Sequence, residues 1–131
     1  MTDTNKQKIL DYEPEALTLG DLVHIRSVHG DKPLYIIRDE VLTYKDAETR
    51  SNEVANSLIK LGIKKGDVVA TFMYNCVSQA LIWFGCAKIG AIYAPLNVSL
   101  ERDDLAYSLN DTDANIIVLE EELAPAFNAC Q

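Results

Sequence analysis

The sequence predicts an α/β protein of three layers, in which a mainly parallel sheet carries flanking helices and a short N-terminal hairpin precedes it. The stretch at positions 79–97 is the first reason. It is apolar on nearly every side as far as Cys86, as a helix buried on two faces would be. Gly90 then separates this helix from a short strand that Pro95 ends. The second reason is that helical and extended patterns alternate along the chain, which is the order that right-handed crossovers in a parallel sheet produce.

The chain has 131 residues and is interpreted as one domain, long enough to bury roughly two thirds of the surface of the unfolded chain. We place this domain at residues 18–131. Residues 1–17 are polar and acidic and contain Pro14, so they are predicted to form an arm or a loosely docked segment.

A first helix is predicted to begin after Thr18, whose hydroxyl can cap it with Asp21 three residues on. It is expected to end at Gly30. The residues expected to form its apolar stripe are Leu22, Ile25 and Val28. Two β-rich runs, at 34–37 and 41–44, flank a polar turn and predict a hairpin.

A longer second helix is predicted to begin after Thr43, with Asp46 at its third position, and to close at Gly62. Its expected apolar stripe consists of Ala47, Val54, Ala55, Leu58 and Leu61. The run at 68–73 is apolar on both faces and therefore predicts a central parallel strand. Asn75 is expected to cap the buried helix that follows.

The remaining segments complete the alternation. Positions 91–94 are predicted to form a short buried strand, and Ser99 is expected to cap a helix over 102–109. A third strand, apolar on both faces, is predicted at 116–119. The acidic run at 120–122 suits the start of a last helix, where carboxylates favour the helix dipole.

Composition excludes several classes of partner and compartment. The net charge of −8 argues against nucleic acid and anionic membranes as partners, since both require clustered Lys and Arg. The longest apolar stretch is interrupted by Lys88, Gly90 and Pro95, so no membrane span is predicted. Residues 1–14 lack the apolar core of a signal peptide. The three cysteines are an odd number and show no CxxC spacing, so we expect a protein of the reducing cytoplasm that has no structural disulfide. Cys86 is interpreted as a small core residue.

Ligands of open α/β sheets bind beyond the carboxyl ends of the strands. Tyr74 and Asn75 follow the predicted central strand, and Asn97 and Ser99 follow the strand at 91–94. These four residues are our candidates for the rim of a binding pocket. A simpler structural interpretation exists for three of them, because Asn75 and Ser99 can be helix caps and Asn97 can belong to a turn. The sequence predicts no catalytic residue and no metal ligand.

Other suggestive patterns are better explained by structure. Gly85 and Gly90 have the glycine spacing of a phosphate loop, but Ala91 stands where the lysine belongs. The run also leads from helix to strand, the opposite of what a phosphate cradle needs. The two histidines lack further ligands at metal-binding spacing. Cys76, at a helix start, could be a reactive thiol, but only a weak guess at His24 supplies a basic partner.

Four short motifs, taken together, give the chain a family resemblance. They are residues 42–46 (LTYKD), 58–70 (LIKLGIKKGDVVA), 87–97 (AKIGAIYAPLN) and 111–119 (DTDANIIVL). Each motif is a weak signal alone. In this order and at this spacing, over about residues 18–119, they resemble the N-terminal portion of the adenylate-forming, AMP-binding acyl-CoA synthetase and ligase superfamily. The crotonobetaine/carnitine-CoA ligase type looks the most similar.

The resemblance implies an enzyme that activates a carboxylic acid with ATP and Mg²⁺, releases pyrophosphate and passes the acyl group to CoA. It also implies a Ser/Thr/Gly-rich phosphate loop ending in Lys, a Thr-Glu pair near the metal, an Asp for the ribose and a C-terminal domain with the catalytic Lys. The sequence contains none of these motifs, so this chain alone is expected to be inactive and to bind none of these cofactors. This sequence departs from the family at two positions. Ser78 stands where many members have Glu, and Ser99 stands where some have an Arg that can contact the CoA phosphate. These departures weaken the expectation that this segment contacts CoA.

Two hypotheses of function stay open. In the first, the chain is the N-terminal scaffold of such a ligase, truncated relative to the family, and its partner is the rest of the ligase. In the second, it is a stand-alone binding or dimerisation module with the same fold, which self-associates through an uncovered apolar face. A flavodoxin-like regulator has little support, because the strand ends lack the acidic residues that a receiver domain needs.

Overall fold

The computed structural model describes residues 18–130, and the arm predicted at residues 1–17 lies outside them. Helices and strands alternate in the predicted order. The helices are α1 (Leu19–Arg26), α2 (Tyr44–Lys60), α3 (Val77–Ile89), α4 (Arg102–Asp111) and α5 (Ala124–Asn128). The strands are β1 (Pro33–Ile37), β2 (Glu40–Thr43), β3 (Val68–Phe72), β4 (Ile92–Pro95) and β5 (Ile116–Leu119). Two 3₁₀ turns, at Ser27–His29 and Glu121–Leu123, follow α1 and precede α5.

The strands after the hairpin form one parallel sheet with β3 in its centre. The strand order is β4-β3-β5, and both pairings of β3 are parallel. Val69 pairs with Tyr93 on one side and with Ile116 on the other. β1 and β2 pair antiparallel as a separate hairpin. The predicted α/β class is thus confirmed, with the run at 68–73 as the central strand.

Side chains of β3 alternate between two apolar cores, because successive residues of a strand point to opposite faces. On one face, Val69 packs in a cluster formed with α2 and α3. The other members of that cluster are Leu58, Ile63, Met73, Ile82 and Cys86. On the opposite face, Phe72 packs with Leu105 of α4 and with Leu123. Helices therefore cover both faces of the sheet, which gives the three predicted layers.

α3 is the buried helix around which the other elements pack. Its buried residues are Val77, Leu81, Ile82, Phe84, Gly85 and Cys86, whereas Trp83 remains 41% exposed. A Cβ atom on Gly85 would lie 2.8 Å from Val54 Cγ1 and 3.2 Å from the backbone nitrogen of Ala55. The absence of a side chain at Gly85 is therefore what lets α2 and α3 approach so closely. Gly90, with φ of 72°, ends α3 in the left-handed conformation that the sequence predicts.

Two of the four predicted helix caps are confirmed. Thr18 and Asp21 form a reciprocal capping box, in which the Asp21 amide donates to the Thr18 hydroxyl and the Thr18 amide donates to the Asp21 carboxylate, both at 3.1 Å. The hydroxyl of Thr43 accepts from the Asp46 amide at 3.0 Å. These short-range bonds satisfy amides that have no partner within the helix.

The other two predicted caps are wrong. α3 begins after Cys76 rather than Asn75, because Cys76 is the last residue with extended backbone angles. α4 begins after Glu101 rather than Ser99. Ser99 lies instead in a turn, where its amide donates to the side-chain oxygen of Asn97 at 2.9 Å. Asn97 therefore fixes the turn before α4, as an Asx turn does.

Several residues expected in the core lie at the surface. α1 ends at Arg26, so Val28 falls in the 3₁₀ turn and is 80% exposed. Val23 is the side chain that α1 buries, and Leu22 remains partly exposed. Leu61 follows the last turn of α2 and is 66% exposed. Ile92 is 53% exposed because β4 is an edge strand, not the buried strand that the sequence suggested.

Candidate functional site at the carboxyl edge of the sheet

A cleft of about 430 Å³ lies where β3 and β4 end. Tyr74, Asn75 and Asn97, three of the predicted rim residues, line it together. The fourth, Ser99, does not line this cleft but is held beside it by Asn97. The topology explains this placement, since adjacent parallel strands deliver their following loops to the same edge of the sheet. Whether these residues bind a ligand stays a prediction.

A second cleft, of about 470 Å³, adjoins the first between the hairpin and α3. Asn75 and Gln79 line both clefts and so connect them. Three aromatic side chains, Tyr35, Trp83 and Tyr93, line the second cleft, and the ring centroids of Trp83 and Tyr93 lie 6.4 Å apart. Gln79 was missed by the sequence analysis. Its position four residues after Asn75, at the start of α3, could have placed it on the same side of the helix.

The phenol of Tyr93 connects this second cleft to the core of the sheet. The buried Thr71 hydroxyl donates to the Tyr93 hydroxyl at 3.2 Å. Burial raises the pKa of Tyr93 above its ordinary value of 10, although hydrogen bonds with Thr71 and Gln79 partly offset this effect. Tyr93 is therefore neutral at physiological pH. Together with the amides of Asn75 and Gln79, it can hold a hydrogen-bonding group.

A second polar cluster lies where α1, α2 and α3 meet. The Lys88 ammonium donates to Glu48 Oε2 at 2.6 Å and to Asn52 Oδ1 at 2.7 Å. Glu48 Oε1 lies 3.0 Å from His24 Nδ1. Burial raises the pKa of Glu48, but hydrogen bonds from Lys88, His24 and Asn52 outweigh it and hold that pKa below 4.5. The sequence did not predict this contact, because the partner of Lys88 on α2 is 40 residues away along the chain.

The cysteines are free thiols in different surroundings. Cys86 is fully buried, as the sequence predicts for a core residue, and burial raises its pKa to about 11. Cys76 lies in the second cleft, whereas His24 lines a separate cleft beside Glu48 and Lys88. His24 is thus placed with Glu48 rather than with the Cys76 thiol.

We expect Cys86 to resist modification by Ellman's reagent at pH 8 in the folded chain. With a pKa of about 11, only about one thousandth of this thiol is ionised at that pH, and the thiolate is the reactive form. The half-buried Cys76 and Cys130 should react first. Mass spectrometry of peptides from partly modified protein would distinguish the three sites. Labelling of Cys86 as fast as Cys76 in native protein would contradict this expectation.

Among residues 18–130, no group of three or more His, Cys, Asp or Glu side chains is placed to hold a metal ion. Within the same part of the chain, the helices are all too short or too polar to cross a membrane.

The chain matches known proteins in sequence. The family described as AMP-binding enzyme matches residues 24–131. The crotonobetaine/carnitine–CoA ligase of Escherichia coli O139:H28 (strain E24377A / ETEC) is 37% identical over 89 residues, which are 68% of this chain. The ligase of the same name from Shigella dysenteriae serotype 1 (strain Sd197) gives the same values. The matched region is 17% of the length of each ligase.

The chain also matches solved structures. The inhibitor-bound N-terminal domain of FACL13 from Mycobacterium tuberculosis is 30% identical, with a TM-score of 0.80 over 86% of this chain and 29% of that one. A fatty acyl CoA synthetase from Mycobacterium tuberculosis is 28% identical, with a TM-score of 0.78 over 86% of this chain and 23% of that one. The expected resemblance is confirmed by sequence and by fold, and the chain belongs to the AMP-binding enzyme family.

Proposed function

We propose that this chain supplies the N-terminal part of an ATP-dependent, AMP-forming carboxylic acid–CoA ligase and acts there as a scaffold. The 37% identity to crotonobetaine/carnitine–CoA ligases supports this proposal most directly. In such an enzyme, the acid reacts with ATP to give an acyl-adenylate and pyrophosphate, and the acyl group then passes to CoA. ATP, Mg²⁺ and CoA are cofactors of the whole ligase in this proposal, and the rest of the ligase is the partner of these residues.

The chemistry of the cleft supports a scaffold role rather than a catalytic one. Its polar side chains, those of Tyr74, Asn75, Gln79 and Asn97, carry no positive charge. Phosphoryl and adenylyl transfer require cations or aligned amide donors that stabilise the developing negative charge. We therefore propose that these side chains form one wall of a pocket to which the rest of the ligase brings the charged groups.

The proposal is tested first by isothermal titration of the purified chain with ATP·Mg²⁺, CoA and crotonobetaine. We expect no saturable heat with any of them, because the groups that hold phosphates are missing from the sequence. Saturable binding that Asn97→Ala or Tyr74→Ala abolishes would overturn the scaffold assignment.

A chimera gives the matching positive test. We expect the Escherichia coli ligase to retain pyrophosphate exchange when its matched residues are replaced by those of this chain, because the two are 37% identical there. Crotonobetaine is the acid to try first, since it appears in the name of that ligase. A folded chimera without exchange activity would show that this chain does not support adenylation.

The exposed edge of the sheet favours a second candidate, a stand-alone module that self-associates. β4 presents Ile92 to solvent and has no strand beyond it in the described part of the chain. Such an edge can pair with another chain. A tight dimer whose mass does not change with dilution in size-exclusion chromatography with light scattering would favour this module. A monomer would favour the scaffold. A cytoplasmic location suits either candidate, because the three thiols are free.

A further inference from the structure

The turn of the β1–β2 hairpin holds Arg38 in a backbone conformation that an arginine rarely adopts. Ile37 pairs with Glu40, so Arg38 and Asp39 form a two-residue loop. Arg38 has a φ of 55°, in the left-handed region that favours glycine at the first position of such a loop. Holding a residue with a Cβ atom there costs free energy, and strain of this kind is concentrated at functional sites. A glycine would fit this turn better, so the arginine side chain is the feature that needs an explanation.

Arg38 lies at the carboxyl edge of the parallel sheet. It lines the second cleft together with Asn75, which follows β3, and with Tyr93 of β4. It also lines a further cleft of about 600 Å³, the glutamate cleft, with the glutamates at 120–122 that follow β5. One side chain at the tip of the hairpin thus borders clefts formed at all three strands of the sheet. Ligands of open α/β sheets bind at this edge.

The positive charge of Arg38 is not neutralised by an ion pair. Arg38 is exposed and forms none of the ion pairs found among residues 18–130, whereas Arg50 pairs with Glu40 of the same hairpin at 3.3 Å. The glutamates at 120–122 share a cleft with Arg38 but are likewise outside those ion pairs. Their negative charges repel an anion from the glutamate cleft. The guanidinium is therefore available to an anion in the second cleft, on the other side of the hairpin tip.

The second cleft also contains uncharged donors for such an anion. The side-chain amides of Asn75 and Gln79 line it, and each carries two N–H groups. An arginine binds the oxygens of a carboxylate or a phosphate through parallel N–H donors. One guanidinium and two carboxamides at the same edge of the sheet therefore suit an oxyanion.

We propose that Arg38 binds an oxyanion, a carboxylate or a phosphate, of the ligand that the second cleft holds. Arg38 is then a charged group that this chain itself contributes to the pocket, in addition to those that the rest of the ligase brings. The inference rests on the proposed function, since the acid and ATP of the ligase are the sources of these two anions. An exposed guanidinium alone contributes little binding free energy, so the isolated chain is still expected to give no saturable heat with ATP·Mg²⁺ or CoA.

The chimera with the Escherichia coli ligase measures this binding. When residues 18–131 of the chimera come from this chain, Arg38→Gln should raise a KM of pyrophosphate exchange about tenfold and leave kcat nearly unchanged, because a charged hydrogen bond is lost. A raised KM for the acid identifies the carboxylate as the anion, and a raised KM for ATP identifies the phosphate. If Arg38→Gln changes neither KM, the proposal is overturned.

Arg102→Gln is the matched control for this measurement. Arg102 is also an exposed arginine with a left-handed backbone, at a φ of 42°, but it lines neither the second cleft nor the glutamate cleft. Its replacement should change neither KM. A KM raised equally by Arg102→Gln would show that the effect is one of overall charge, which would also overturn the proposal.

Arg38→Gly separates the binding role from the backbone strain. Glycine suits the left-handed position, so this variant should unfold at a higher urea concentration than the wild type. It should nevertheless raise the same KM as Arg38→Gln, because the guanidinium is absent in both. A glycine variant with the KM values of the wild type would show that Arg38 has no binding role.

The isolated chain provides a test that needs no enzyme activity. Trp83 is the single tryptophan and lines the same cleft as Arg38. Iodide, an anionic quencher, should quench Trp83 fluorescence about twofold less in Arg38→Gln than in the wild type, because the positive charge concentrates anions near the ring. Neutral acrylamide should quench both proteins equally. Equal quenching by iodide would overturn the proposal. If the unmodified chimera shows no exchange, the ligase function fails, and the iodide measurement still decides whether Arg38 attracts anions to the cleft.

Discussion

Replacing Lys88 by methionine is expected to lower the free energy of unfolding by about 3 kcal/mol, as is typical when one partner of a buried ion pair is removed. The side chains of Lys88 and Glu48 are only 12% and 18% exposed. Methionine keeps most of the packing of the lysine stem, so the change mainly leaves the Glu48 carboxylate without its ammonium partner. Urea unfolding at pH 7 measures the loss.

Lys60→Met is the matched control, because Lys60 is exposed at the end of α2 and forms none of the ion pairs found among the described residues. It should change the stability by less than about 0.5 kcal/mol. Adding Glu48→Leu to Lys88→Met should recover much of the loss, since two apolar side chains can replace a buried pair at little cost. If Lys88→Met lowered the free energy of unfolding no more than Lys60→Met does, solvent would be stabilising the Glu48 carboxylate in place of the ammonium group.

The destabilisation caused by Lys88→Met should be larger near neutral pH than in acid. Although burial raises the pKa of Glu48, its hydrogen bonds with Lys88, His24 and Asn52 lower it below 4.5 in the folded chain. A carboxyl with a depressed pKa stabilises the fold above its unfolded pKa and loses that contribution as the pH falls through the folded value. The difference between wild type and Lys88→Met should therefore be largest near neutral pH and shrink below 4.5. A difference that persists in acid would point to packing rather than charge.

Signals that act over a few residues explain what the sequence could predict. The capping box of Thr18 with Asp21 and the left-handed stop at Gly90 involve neighbours in the chain, and both are present. Runs of apolar residues likewise located the buried helix α3 and the three strands of the parallel sheet. Whether a strand is central or at an edge depends on the strand order, so the exposure of Ile92 could not be derived from its apolar pattern.

The candidate site likewise has a part that the sequence could predict and a part that depends on how the helices pack. The rule that loops meet at the carboxyl edge of a parallel sheet brought Tyr74, Asn75 and Asn97 to one cleft. Gln79 was missed because it lies within the helix rather than in a loop. The ion pair of Lys88 with Glu48 was missed because it joins two helices whose packing the sequence alone does not specify.

Gly85→Val is expected to destabilise the chain by about 3 kcal/mol or more, because overpacking a well-filled contact is costly. A Cβ atom at this position would lie 2.8 Å from Val54 Cγ1 and 3.2 Å from the Ala55 backbone nitrogen. The valine side chain at position 54 can rotate, but the backbone of α2 cannot move without separating the two helices. Chemical denaturation and near-ultraviolet circular dichroism would measure the loss of stability and of packing.

Ser78→Val, on the exposed side of the same helix, is the control for placing a valine in α3 and should cost less than about 0.5 kcal/mol, because serine and valine have similar helix propensities. Gly85→Ala should fall between the two, because its gain in helix propensity of about 1 kcal/mol opposes a smaller clash. Combining Gly85→Ala with Val54→Ala should reduce that clash, since it removes the nearest atom. If Gly85→Val were as stable as Ser78→Val, the spacing of α2 and α3 would not be set by backbone contact. If the stabilities of the variants follow the expected order, helix packing explains the glycine at position 85, and its spacing from Gly90 needs no explanation by phosphate binding.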